Sequence, residues 1–184
     1  MHETVPIRGH IEGICGCMFC GKTTELLRRI ERARIAGLKV QLFKPLLDDR
    51  DGNEIVARNG GCLPCSLVKN TAELFNRIEN DTDIVGLDEV QFFDPAIVAA
   101  CNEMANGGIR VIWSGLDLDF RGMPFASVPA LLAISEYVTK LSAICTYEGC
   151  GGSASRSQRL DSSKELLSVG HHYAARCRHH HNIK

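Results

Sequence analysis

The chain has 184 residues and no apolar run approaching the roughly 20 residues that cross a bilayer. Its first ten residues, MHETVPIRGH, hold no apolar core of the secretory type, which predicts a cytosolic protein. Excess charge is also missing. The 21 Lys and Arg nearly balance the 22 Asp and Glu, and a net charge of −1 argues against a broad electrostatic footprint for nucleic acid. No internal repeat or low-complexity tract interrupts the chain. With 45% hydrophobic and 23% charged residues, this leaves one soluble domain with a real core and room for a small appendage. Cysteine, by contrast, is abundant. Nine lie at positions 15, 17, 20, 62, 65, 101, 145, 150 and 177. In a cytosolic setting they point to thiols or metal ligands, and an odd number fits poorly with complete internal pairing.

The hydrophobic pattern alternates strands and helices. HIEGIC (10–15) reads as a strand, Thr23 to Ala36 as an amphipathic helix on Leu26, Leu27, Ile30 and Ala33, and KVQLFKP (39–45) as a second strand. The segment 46–61 reads as a polar loop. A helix is expected over 71–79 and an apolar strand over 83–88. Another helix is expected from Asp94, as its cap, to about Asn106. RVIWSGL (110–116) predicts a strand, 128–138 a helix, and TKLSAIC (139–145) a last strand. Mostly apolar strands alternating with helices are the mark of a parallel sheet covered on both faces. Past Cys145 large apolar residues thin out, and Cys, Ser, Arg and His take over. The expected organisation is a nucleotide-binding α/β domain over 1–143 and a small lobe over 144–184.

Residues 13–26, GICGCMFCGKTTEL, contain Gly16, four residues, then Gly21-Lys22-Thr23. A predicted strand precedes them and a predicted helix follows, the setting that a phosphate loop of the P-loop NTPase type requires. Backbone N–H groups of residues 16–22 (Gly16, Cys17, Met18, Phe19, Cys20, Gly21 and Lys22) would cradle phosphates. Lys22 would reach the β/γ-phosphates and Thr23 would serve Mg²⁺. The sulfur in this loop raises a rival reading, a metal or redox site. The second acidic element favours the nucleotide: the strand at 83–88 ends in Asp88, placing a carboxylate near Mg²⁺. Glu89 follows, either a base for a nucleophile or a plain surface carboxylate.

In the tail, Cys145 and Cys150 are five apart, and Cys177 and His180 three apart. Two such pairs suit a tetrahedral structural Zn²⁺ in a lobe with too little apolar mass to fold unaided. His179 and His181 flank His180 and leave the fourth ligand open. Cys62 and Cys65 form a tighter C-x₂-C, but stand in a loop far from any second pair and read as incidental.

In order, MFCGKTTELLRRI, GLKVQLFKP, DDR, LDEVQFFD, GLDLDFRGMPF, EYVTKLSAIC, SRSQRL and YAARCRHH span Gly9 to about His180. Together they resemble the type II, or cellular, thymidine kinases. The resemblance implies a P-loop NTPase-type parallel sheet flanked by helices, with a zinc-binding lobe and a lasso loop over the nucleoside. It implies transfer of the γ-phosphoryl group of ATP to the 5′-hydroxyl of thymidine, with Mg²⁺ and a structural Zn²⁺. By position, Lys22, Arg50 and Glu89 become catalytic, with Glu89 the base, and Asp48, Asp88 and Gln91 join the ATP and Mg²⁺ group. Met18, Phe92, Leu116 and Phe120 line the nucleoside pocket. Ser157, Gly170 and Tyr173 belong to the lasso, about 153–173. Cys145, Cys150, Cys177 and His180 match the zinc ligands. A homotetramer and feedback inhibition by thymidine triphosphate are further implications.

This chain departs from the family pattern at several places. Cys17 stands where proline is usual, Cys20 where a small residue is usual, and Arg58 where a histidine is common. The first zinc pair is C-x₄-C, and the lasso is short. The short lasso motivates an alternative, a deoxynucleoside kinase of altered base preference. A third reading, a silent zinc-containing ATP-binding protein, sits poorly with intact Lys22, Thr23, Asp88 and Glu89.

Overall fold

A computed structural model describes residues 9–48, 51–58, 60–161 and 172–182. Six strands form one sheet: β1 (Ile11–Gly16), β2 (Val40–Pro45), β5 (Ser66–Val68), β6 (Ile84–Leu87), β7 (Arg110–Gly115) and β8 (Tyr137–Leu141). Their order is β5-β2-β6-β7-β1-β8, and every pairing is parallel. The expected α/β class is therefore what the chain adopts.

Two-residue alternation along the strands assigns each side chain to a helix layer. On β7, Val111 and Trp113 face a core built with α2 (Thr71–Arg77), α3 (Ile97–Asn106) and α4 (Val128–Ile134). Ile112 between them faces α1 (Lys22–Ile35), packing with Leu26, Leu27, Ile30 and Ala33. Phe43 and Leu42 of β2 divide in the same way. A strand buried on both faces needs apolar residues at consecutive positions, and β6 (IVGL) is buried throughout. Each large side chain wholly removed from water contributes about 1.5–3 kcal/mol.

Several boundaries differ from the sequence reading. The segment 46–61 is not only loop: β3 (Glu54–Val56) pairs antiparallel with β4 (Cys62–Pro64), and Ile55 and Leu63 pack on the α1 side of the sheet. Three-residue strands carry too little periodicity to be seen. Helix α4 stops at Ile134, not 138, because Tyr137 onward pairs with β1 as β8. Sheet pairing overrides the helical period there. Asp94 does not cap α3. Its carboxylate accepts from Ala96 N (3.0 Å), a local turn, and from Thr71 N (2.8 Å), at the start of α2.

Beyond β8, β9 (Ala143–Ile144) pairs with β10 (Ser153–Ala154), and β11 (Arg156–Arg159) with β12 (Tyr173–Arg176), both antiparallel. Among the described residues, no helix is long and apolar enough to cross a membrane.

Candidate active site and metal cluster

In a parallel sheet the carboxyl ends of the strands share one edge, and the loops leaving that edge build the site. Here the edge gathers the loop after Gly16, Asp48 beyond β2, Asp88 and Glu89 after β6, and Leu116 after β7.

The glycine-rich loop turns sharply. Gly16 has φ +139°, and a Cβ there would lie 2.2 Å from the Leu141 carbonyl oxygen, so only glycine fits. Phe19 (φ +67°) and Gly21 (φ +88°) are also left-handed, and α1 begins at Lys22. The Lys22 ammonium is buried and donates to the Cys17 carbonyl at 2.9 Å, folding back over the loop. The Arg58 guanidinium lies 4.1 Å over the Phe19 ring.

The sheet order places β7 between β1 and β6, and Ser114 of β7 bridges that gap. Its wholly buried hydroxyl donates to Asp88 Oδ1. The other Asp88 oxygen accepts from Thr23 Oγ1 at 3.4 Å. Burial, and next the charge of Glu89, raise the Asp88 carboxyl above its ordinary range. Oxygen donors beside a phosphate loop suit a hard divalent cation such as Mg²⁺.

Glu89 is left-handed at φ +51°, a conformation that costs a non-glycine residue about 1–3 kcal/mol. Its N–H is fixed by Asp88 Oδ1 at 3.0 Å, and its carboxylate accepts from Gln91 Nε2. Gln91 Oε1 in turn accepts from Leu116 N at 2.9 Å. This chain of bonds ties the ends of β6 and β7 together around the Glu89 carboxylate.

The expected nucleoside-pocket residues are linked as follows. Met18 N donates to the buried Ser157 Oγ at 3.0 Å. The Phe92 ring meets Phe125 edge-on at 6.3 Å. Arg159 lies 4.3 Å over Phe120 and donates to the Tyr173 hydroxyl at 2.5 Å. Asp119 shapes the turn that carries Phe120, accepting from Arg121 N (2.8 Å) and Met123 N (3.0 Å). Asp48 is buried. Arg50 and Gly170 lie outside the described residues.

In the tail, one atom each from Cys145, Cys150, Cys177 and His180 all lie within 4.8 Å of one another. The Cys150–Cys177 sulfurs are 3.9 Å apart, and His180 Nδ1 is 3.8 Å from Cys145 Sγ and 3.3 Å from Cys177 Sγ. A Zn²⁺ with bonds of about 2.3 Å to sulfur and 2.0 Å to nitrogen implies tetrahedral edges of about 3.4–3.8 Å. The cluster therefore fits zinc. The wide C-x₄-C closes because Cys150 N donates to Tyr147 O at 3.0 Å, turning the loop back. The Tyr147 ring also stacks on His180 at 4.0 Å, holding its plane. His181 is engaged elsewhere, its Nε2–H donating to the Phe120 carbonyl at 2.8 Å. Cys62 is exposed and Cys65 is half-buried against the α1-side core; neither joins this cluster.

Sequence reasoning missed Ser114, Arg159 and the placement of the loop cysteines. Cys17 is buried in an apolar cluster with Ala143, Cys145, Ala154 and Ala175, and Cys20 packs against it. The Cys17 thiol donates to Ala154 O at 3.2 Å. The proximity of the two thiols, together with burial, raises Cys17, while Cys17 and then the Lys22 ammonium lower Cys20 to about 7. The odd composition of the loop was the available signal.

A glycine-rich loop opening a helix, with an acidic strand end bonded to it across the sheet, has the arrangement of the phosphate-loop α/β class. The family model for thymidine kinase matches residues 9–181, and the chain belongs to that family. Among solved structures, domain III of the Thermotoga maritima replication initiation protein DnaA is similar at 18% identity with a TM-score of 0.45. That match covers 74% of this chain and 56% of the other.

Proposed function

We propose that this chain is an ATP-dependent thymidine kinase that transfers the γ-phosphoryl group to the 5′-hydroxyl of thymidine. The family match across 9–181 carries the reading, and the arrangement around Glu89 supports it. In this reading the amides of residues 16–22 and the Lys22 ammonium hold the phosphates, with Arg50 and Asp48 beside the transferring group. Thr23 and Asp88 are the residues that would hold Mg²⁺, whose charge would neutralise the phosphate oxygens. Glu89, aimed by Gln91, takes the proton of the 5′-hydroxyl. Met18, Phe92, Leu116 and Phe120 supply apolar contact for thymine and its methyl group. Ser157, Gly170 and Tyr173 belong to the lasso that shields the nucleoside from water, which would otherwise compete for ATP.

The chain divides in this proposal into an ATP-binding unit, 1–143, and a lobe, 144–184, pinned by Zn²⁺ on Cys145, Cys150, Cys177 and His180. The homotetramer, feedback inhibition by thymidine triphosphate and cytoplasmic location are proposed from the family resemblance.

The test is turnover with ATP and Mg²⁺ against thymidine, deoxyuridine, deoxycytidine and deoxyguanosine. Thymidine is expected to give the highest kcat/KM. An absence of thymidine preference, or ATP binding without phosphorylation of any nucleoside, would overturn the proposal.

A further inference from the structure

The strand-to-helix turn that forms the phosphate loop carries a C-x-x-C, Cys17-Met18-Phe19-Cys20. Placed between a strand and the first turn of a helix, two cysteines at this spacing have the arrangement of a redox-active pair. Cys17 and Cys20 flank a turn centred on Met18 and Phe19, with Phe19 left-handed at φ +67°. The ends of such a turn lie within about 7 Å at Cα, near the separation that a disulfide spans. Cys20 packs against the buried cluster that contains Cys17. Exposure differs in a useful way: Cys17 is buried, whereas Cys20 is partly open to solvent.

We propose that Cys17 and Cys20 form a reversible disulfide that switches the phosphate loop between an ATP-binding and a non-binding form. The oxidant is a low-molecular-weight disulfide. The Cys20 thiolate attacks one of its sulfurs, the S–S bond breaks, and one small thiolate leaves, taking up the proton that Cys20 released on ionising. Cys17 then attacks Cys20 Sγ and displaces the second small thiol, which takes the Cys17 proton. The protein dithiol is oxidised and the small disulfide is reduced to two thiols, so atoms and electrons balance.

Two consequences for the loop follow. Drawing the sulfurs into a covalent bond re-aims the amides of Phe19 and Cys20, which face phosphate in the reading above, and moves Met18, whose amide donates to Ser157 Oγ. The bond from the Cys17 thiol to Ala154 O also disappears, since a disulfide sulfur has no proton to donate. That contact and the one from Met18 N to Ser157 Oγ join the loop to the segment beyond β8. Oxidation therefore loosens the loop from its neighbour as it distorts the cradle. Charge-assisted bonds to phosphate weaken steeply with misalignment, so ATP affinity should fall at least about tenfold.

The inference rests on residues 16–23 being the ATP loop. The test uses the full, zinc-loaded chain, reduced and then titrated with glutathione disulfide. Peptide mass spectrometry reads the disulfide, a fluorescent ATP analogue reads affinity, a metal assay reads zinc, and thymidine turnover is followed in parallel. A Cys17–Cys20 crosslink is expected, with affinity down at least tenfold, zinc retained and full recovery in dithiothreitol. Relative to its own reduced form, Cys20→Ser should lose the response. Cys17→Ser should trap a glutathione adduct on Cys20 that the unsubstituted chain does not accumulate. Failure to form the crosslink, a crosslink without loss of affinity, loss that tracks zinc release, or an undiminished response in Cys20→Ser would each overturn the switch. If the reduced protein binds the ATP analogue but phosphorylates no thymidine, the kinase reading fails while the disulfide measurements still decide this one.

Discussion

Three consecutive histidines close the tail, and the structure gives them different work. His180 Nδ1 faces Cys145 and Cys177, whereas His181 bonds the Phe120 carbonyl. His179 meets the His180 ring edge-on at 4.8 Å and lies outside the ligand cluster. Single alanine substitutions at the three positions should therefore separate cleanly. Structural zinc in small four-ligand sites is bound by about 10–16 kcal/mol. Shared over four ligands, one is worth about 2.5–4 kcal/mol, or roughly two to three powers of ten in zinc affinity. His180→Ala should lose that much. His181→Ala removes one neutral hydrogen bond, worth about 1 kcal/mol, and should leave zinc affinity within a few-fold of the unsubstituted chain. His179→Ala should leave it unchanged. The assay is zinc competition against a chromophoric chelator, with total metal measured on the purified proteins. Equal zinc affinity in His180→Ala and the unsubstituted chain would refute the ligand assignment. A loss in His181→Ala as large as that in His180→Ala would do the same.

Glu89→Gln should reduce kcat by about two to four powers of ten with ATP affinity retained, as expected for loss of a positioned base; near-normal kcat would exclude Glu89 from that role. Gly115→Ala would place a Cβ 2.7 Å from Val90 Cγ2 and 2.8 Å from Gln91 Oε1, so it should dislodge Gln91 and lower kcat with little change in ATP binding. An unaltered kcat in a folded Gly115→Ala protein would show that Gln91 does not aim Glu89. Glu25, held by Arg28 and Arg29, titrates near 2 instead of its ordinary 4.5. Because the folded value is depressed, its stabilisation is full above about pH 4.5 and disappears as pH falls through about 2. Urea denaturation should show Glu25→Gln about 1 kcal/mol less stable at pH 7, after allowance for solvent screening, with the gap closing in acid. A gap that persists at pH 2 would argue against the ion pair as its source.

The glycine-rich loop between a strand and a helix, the acidic strand end and the Cys and His residues of the tail were legible in the sequence because each is a local pattern. Glycine spacing along the chain marks the turn between β1 and α1, and a run of apolar residues ending in Asp88 marks a buried strand. Paired Cys and His residues mark a metal cluster at the level of residue type. The alternation of apolar strands with helices likewise dictated a parallel α/β sheet.

Strand order, and everything that depends on it, was decided in three dimensions. β7 lies between β1 and β6, so Ser114 became the bridge to Asp88 only once the strands were aligned. The short strands β3 and β4 exist because Ile55 and Leu63 find apolar partners on the α1 face, not because three residues specify a strand. Tyr137 leaves its helical pattern because an open edge of β1 offers it hydrogen bonds. The choice of His180 over its neighbours came from a stacked tyrosine and a distant carbonyl, at Tyr147 and Phe120. The loop cysteines show the division most plainly. The sequence determined that Cys17 and Cys20 sit in the turn between a strand and a helix. Only the packing of that loop against Ala143, Ala154 and Ala175 buried one thiol and left the other partly open, because burial is a property of neighbours that lie more than a hundred residues away along the chain.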